Sequence, residues 1–193
     1  MALQNRVMPW GEIVADPARG MFTGNRGCLH DDQGRLGRAR WTGRAWIICT
    51  LDYKGFRRQV MTPRRWTELF FLDEAVALAA GHRPCALCRR DAFIAYREAW
   101  GGGLKAPQMD AALHEARLGA RVWRESADLP DGAFVRVAGH GFLLHGAGML
   151  PYAPAGYGAA VGRVLGQVEV LTPAPTLAVL AARYRPILHP SAG

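Results

Sequence analysis

The sequence has no run of about 18 apolar residues, and this excludes a helix that spans a membrane. Its opening residues, Met1 to Arg6, lack the apolar core of a secretory leader, so the chain is expected in the cytoplasm with no membrane partner. It has no internal repeat and no low-complexity linker, which excludes solenoids and disordered arrays. Cysteine is scarce, with four among 193 residues. In a reducing compartment, four cysteines read as metal ligands, reactive thiols or core filler rather than disulfides. Acid is scarce relative to base: 16 Asp and Glu stand against 24 Lys and Arg, for a net charge of +8. That surplus points to an anionic partner.

The charge is unevenly placed. Between Arg35 and Arg90 there are twelve Lys or Arg and four Asp or Glu, a surplus equal to the net charge of the whole chain. Trp41, Trp46, Tyr53, Phe56 and Trp66 are interleaved with these cations. Cations and aromatic rings together suit a phosphate backbone with stacked bases. The same pattern also describes a solvated basic face.

Half of the residues are hydrophobic, enough for one well-cored domain or two small ones. Residues 45–53 read as a β-branched, aromatic strand, Lys54-Gly55 as a turn, and residues 56–61 as the returning strand of a hairpin. Gly24-Asn25-Arg26-Gly27 reads as a turn. Asp73 is an expected N-cap for a helix over residues 74–80, stopped by Gly81. A second helix is expected from near Cys88 to Trp100, and a third from Pro107 to about Trp123. Beyond Gly132 the texture is β and turn: a hairpin over 134–145, a strand over 166–171, and a last short helix from Pro175. These elements predict an α+β fold. A zinc-knuckle N-terminal half with a β-hairpin and helices would span residues 1–103. A helix plus a β-rich half would span 104–193, with the two possibly continuous as one domain.

The densest chemistry lies in Gly81-His82-Arg83-Pro84-Cys85-Ala86-Leu87-Cys88-Arg89-Arg90. Two thiols at C-x-x-C spacing on a tight turn can aim both sulfurs at one tetrahedral metal. Arg83, Arg89 and Arg90 favour the thiolate. A redox pair would need a strand feeding straight into the motif, whereas a helix and Gly81 precede it. Zinc is the expected cofactor, held by Cys85, Cys88 and Cys49, with either Cys28 or His30 as the fourth ligand. Cys49 as a buried strand residue and Cys28 as an incidental loop thiol are the plainer alternatives.

From Asp73-Glu74-Ala75 through Ala79-Ala80-Gly81-His82-Arg83-Pro84-Cys85-Ala86-Leu87-Cys88-Arg89, the sequence resembles the zinc-binding module of the Ada adaptive-response DNA repair proteins. The resemblance covers about 20 residues and implies that Cys85 and Cys88 correspond to the second ligand pair of that module. It also implies zinc, DNA binding and methyl transfer from phosphotriesters to a zinc-bound cysteine. The family's first pair, at C-x-x-x-C spacing, has no counterpart here, because Cys28 and Cys49 are 21 positions apart. Self-methylation therefore does not carry over.

Two further groups could handle an anion. Asn25 and Arg26 could cradle a phosphate. Asp110, His114, Arg117 and Arg121 share a helical stripe and could form an acid–base cluster, although a solvated helix face with paired charges explains the same pattern. The leading expectation is a zinc-stabilised nucleic-acid-binding protein, DNA before RNA, with DNA repair or processing as its activity if it is an enzyme. Its anion surface would be Lys54, Arg57, Arg58, Arg83, Arg89 and Arg90. The alternatives are a metal-containing enzyme acting on a small anionic substrate, lined by Asn25 and Arg26 with His30 or His114, and a structural interaction protein.

Overall fold

The computed structural model describes residues 2–55 and 59–193. The chain runs through β1 (Gln4–Val7), β2 (Ile13–Ala15), β3 (Phe22–Asn25), β4 (Ile47–Thr50), β5 (Leu69–Phe71), α1 (Glu74–Ala79), β6 (Arg83–Pro84), α2 (Arg90–Ala99) and α3 (Ala106–Leu118). It continues through β7 (Val122–Glu125), β8 (Phe134–Val137), β9 (His140–His145), β10 (Gly148–Ala153), β11 (Gly156–Tyr157), β12 (Val161–Gly162), β13 (Gln167–Val170) and α4 (Ala174–Ala181). The fold is α+β, with two sheets. The first is mixed, in the order β2-β1-β5-β3-β4-β6. The second is antiparallel, in the order β11-β10-β9-β8-β13-β7, with β12 also on β10. Among the described residues no helix is long and apolar enough to cross a membrane.

The helix α1 shows how the halves join. Asp73 caps it, accepting from Val76 N at 2.9 Å, and Gly81 leaves it with φ +86°. Every residue of α1 is buried, as an apolar helix between two layers must be. It packs on β5 of the first sheet and β8 of the second. Residues on both sides of position 103 belong to one buried cluster, among them Leu78, Phe93, Met109, Phe134 and Leu180.

Three sequence expectations are corrected. The first concerns Gly24-Asn25-Arg26-Gly27, where Gly24 and Asn25 end the central strand β3. Gly24 is needed for close approach: a Cβ there would lie 2.1 Å from Ile47 O and 2.9 Å from the Phe71 ring. The second is the reach of the hairpin. Both edges of β4 are filled by distant partners, β3 antiparallel and β6 parallel, and Gln59, Val60 and Met61 are not in a strand. Its remaining expected residues, Phe56, Arg57 and Arg58, lie outside the described residues. The third is the length of α3. It ends at Leu118, and Val122 and Trp123 belong to β7, paired with β13.

Candidate metal centre and the basic cluster beside it

The parallel pairing of β4 and β6 sets Ile47 against Arg83 and Ile48 against Pro84. One step further, Cys85 N donates to Ile48 O at 2.9 Å. This register brings Cys49, at the end of β4, beside Cys85, at the end of β6. The turn that follows brings in Cys88. The three sulfurs lie within 4.8 Å of one another, all partly buried. Leu87 N donates to Cys85 Sγ at 3.4 Å, and Arg89 N closes the turn on Cys85 O at 3.2 Å. An amide aimed at a sulfur favours the thiolate. The hydrogen bond from Cys49 is the largest influence on Cys85, and the Cys88 and Leu87 amides add to it, so its thiol is pulled down to about 5. The Cys49 thiol, donating to Cys85 and partly buried, is pushed up.

Three clustered thiols are a soft donor set of the kind that suits zinc, three of the four ligands of a tetrahedral site. Neither residue expected in that fourth position joins them. Cys28 is exposed and its thiol lies 3.8 Å from His30 O. His30 is buried, and both of its ring nitrogens are occupied. Nε2 lies 3.2 Å from Thr62 O, a contact in which it must donate, which leaves Nδ1 to accept from Thr67 Oγ1 at 2.6 Å.

Two of the arginines flanking the C-x-x-C turn, Arg83 and Arg89, are anchors, which corrects their expected place on an anion-facing surface. Arg83 binds Asp110 through two bonds, of 2.7 and 2.8 Å, and both side chains are buried. Arg89 Nη1 donates to Glu74 Oε1 at 2.8 Å, and that oxygen also accepts from Tyr184 OH at 2.6 Å. Sequence spacing could not reveal these pairs, because Asp110 is 27 residues from Arg83 and Glu74 is 15 from Arg89. Arg90 and Lys54 are exposed, and Arg57 and Arg58 lie outside the described residues.

A second cluster surrounds Trp46, three residues before Cys49 and so about 10 Å along the strand from it. Here the structure joins the two groups that the sequence left separate. Arg26 follows β3 and Arg117 lies on α3, yet their guanidinium carbons sit 4.0 and 4.1 Å from the Trp46 ring centroid. Arg26 is 1 % exposed. Its Nε donates to His82 Nε2 at 3.2 Å, and its Nη1 donates to Gly11 O at 2.9 Å. His82 lies 3.2 Å from Ala77 O through Nδ1, so it is a neutral ring with Nδ1 protonated. Burial, then the Arg26 and Arg117 charges, hold His82 well below the usual histidine range. Burial, with Arg117 and Arg40, lowers Arg26 to about 9, and burial lowers Arg117 to about 10. His114 packs its ring on Trp41 at 5.8 Å, and Trp41 lies 6.1 Å from Trp46. Asn25 turns its side chain back onto Gly27 N at 3.3 Å. Arg121 sits elsewhere, on Leu171 O and Trp10 O.

Above this cluster runs an exposed strap, residues 37–45, carrying Arg38, Arg40, Trp41 and Arg44. It is tied at both arginines: Thr42 N donates to Arg26 O at 2.9 Å, and Arg117 Nη2 donates to Arg44 O at 3.0 Å. The side chains of Arg38, Arg40 and Arg44 form no ion pair among the described residues.

The chain matches no model of a protein family, no curated protein and no solved structure.

Proposed function

We propose that this chain is a zinc protein that binds nucleic acid, DNA before RNA, with repair or processing as its activity if it is an enzyme. The observation that carries the metal is the meeting of Cys49 with Cys85 and Cys88 within 4.8 Å. In this reading Cys49, Cys85 and Cys88 hold the ion. Zinc bound there supplies folding energy and, at a fourth position not filled by cysteine, Lewis acidity. The short resemblance to the Ada module points the same way.

The nucleic-acid surface in this reading is the exposed strap with Arg38, Arg40 and Arg44, together with Lys54 and Arg90, because Arg83 and Arg89 are spent on buried carboxylates. Phosphate contacts from exposed cations give affinity without sequence preference. The test is metal content per chain combined with the salt dependence of binding to single- and double-stranded DNA. One zinc per chain and affinity that falls steeply with salt support the reading. Absence of stoichiometric metal in freshly purified, reduced protein removes the zinc part, and absence of DNA binding at low salt removes the other.

A second reading, an enzyme acting on a small anionic substrate, is favoured by the convergence of Arg26 and Arg117 on Trp46, with His114 reaching the same group of rings through Trp41.

A further inference from the structure

Arg26 and Arg117 rest on one indole ring, and neither forms an ion pair among the described residues. Arg26 Nη2 and Arg117 Nη1 are both buried and have no hydrogen-bond partner among the described residues. Asp110, whose charge reaches Arg117, is already bound at both oxygens by Arg83. A guanidinium taken out of water with unused donors is costly unless an anion meets it. Its planar fork matches the oxygens of a phosphate.

The surroundings reinforce this. No acidic residue occurs between Asp32 and Asp52, while Arg35, Arg38, Arg40 and Arg44 all do. The strap that carries the last three is tied to both arginines, by Thr42 N donating to Arg26 O and by Arg117 Nη2 donating to Arg44 O, so its backbone lies against them. Trp41 is 39 % exposed and is braced from below by Trp46 and His114. A braced, half-exposed ring beside cations is the arrangement on which a base stacks.

We propose that the Arg26–Trp46–Arg117 cluster is a seat for one phosphate of a bound nucleic acid, with Arg26 Nη2 and Arg117 Nη1 as its donors and Trp41 as the platform for the adjoining base. This rests on the nucleic-acid reading above and adds a defined subsite to it. The neutral His82 holds Arg26 in place by accepting from its Nε, so its part is positioning.

The experiment uses the full chain with its metal. Inorganic phosphate is titrated at constant ionic strength, with tryptophan fluorescence and thermal midpoint as readouts, and labelled single-stranded DNA is titrated separately. The expected result is a saturable phosphate response that sodium chloride does not reproduce. Both phosphate and DNA affinity should weaken at least tenfold in Arg117→Gln and in Arg26→Gln. Trp41→Ala should weaken DNA binding and leave inorganic phosphate binding intact. Arg26 is deeply buried, so circular dichroism checks each variant, and the half-buried Arg117 keeps the test decisive if Arg26→Gln fails to fold. If DNA binds but Arg117→Gln binds it as well as the parent, and phosphate gives no saturable response, the seat is overturned while the nucleic-acid reading stands. If phosphate binds saturably and Arg117→Gln abolishes this, but no DNA binds, the nucleic-acid assignment is overturned. The seat then serves a small phosphate ester.

Discussion

Arg83 and Asp110 share two hydrogen bonds, of 2.7 and 2.8 Å, with side chains only 6 % and 9 % exposed. The pair ties α3 to β6 two residues before the first cysteine of the C-x-x-C turn. Arg89, one residue after the second cysteine, is tied to Glu74 at the start of α1. The turn is therefore clamped on both sides by buried charge, and its position relative to Cys49 follows from those clamps as well as from the β4–β6 register. Arg90, with no such partner among the described residues, faces solvent.

Breaking the first clamp should be expensive. Removing one partner of a buried ion pair leaves the other charge unpaired and costs about 3–5 kcal/mol. Asp110→Ala should lower the unfolding free energy by that amount in urea titrations. The double variant Arg83→Met with Asp110→Leu should recover much of the loss. An Asp110→Ala protein within about 1 kcal/mol of the parent, the level of an exposed pair, would contradict this account.

Much of the local structure was legible because its causes are local. Asp73 and Gly81 bracket α1, Pro107 opens α3, and residues 134–145 form a hairpin, since caps and short turns are set by neighbouring residues. What was not legible depends on distant partners. Glycine permits turns, so Gly24 reads as a turn glycine, but its role is to let β4 and Phe71 approach β3. Residues 45–53 read as one arm of a hairpin because the nearest candidate strand follows them, while the partners of residues 47–50 come from residues 22–25 and 83–84. Arg26 and Arg117 are separate anion-binding candidates in the sequence, and nothing in one dimension shows that they share Trp46.

The cysteine cluster, in the zinc reading, makes a selective prediction. Cys49→Ser, Cys85→Ser and Cys88→Ser should each lose stoichiometric zinc and destabilise the chain, because binding energy at such a site is folding energy. Cys28→Ser should keep its metal, since Cys28 is exposed and outside the cluster. Elemental analysis of the four purified variants decides this. Loss of metal in Cys28→Ser would mean that the loop at residues 28–30 closes on the site.

His82 supplies a pH dependence. Its folded pKa is depressed by burial and by two cations, so the folded ring stays neutral where the unfolded one, near 6.5, takes up a proton. The stability this contributes is fully present above about pH 6.5, and is lost as pH falls below that value toward the folded pKa, with a limiting slope of about 1.4 kcal/mol per pH unit. His82→Gln, which keeps an acceptor for Arg26 Nε, should flatten the profile between pH 7 and 5. The comparison is made by urea unfolding at fixed zinc. Identical slopes for the two proteins would assign the acid sensitivity to other groups.

The strap makes the last prediction, because it separates exposed charge from structural charge within one basic segment. Arg38, Arg40 and Arg44 are exposed and form no ion pair among the described residues, whereas Arg83 and Arg89 are buried on carboxylates. Reversing the three exposed arginines to Glu should leave fold and zinc content unchanged, since they pack against little. DNA affinity at low salt should fall by at least a hundredfold. The salt slope should shrink, by about 0.9 for each phosphate no longer neutralised on a duplex. Arg83→Glu and Arg89→Glu should instead fail as folding variants, each placing two carboxylates together in a buried site, so any loss of DNA binding there would track loss of structure by circular dichroism. Arg90→Glu, at the exposed start of α2, should fold and lose a smaller share of affinity. If the triple variant binds DNA as tightly as the parent at low salt, the strap is a solvated surface. Arg26 and Arg117, which form no ion pair among the described residues, would then be the next anion-binding groups to test, ahead of the exposed Lys54 and Arg90.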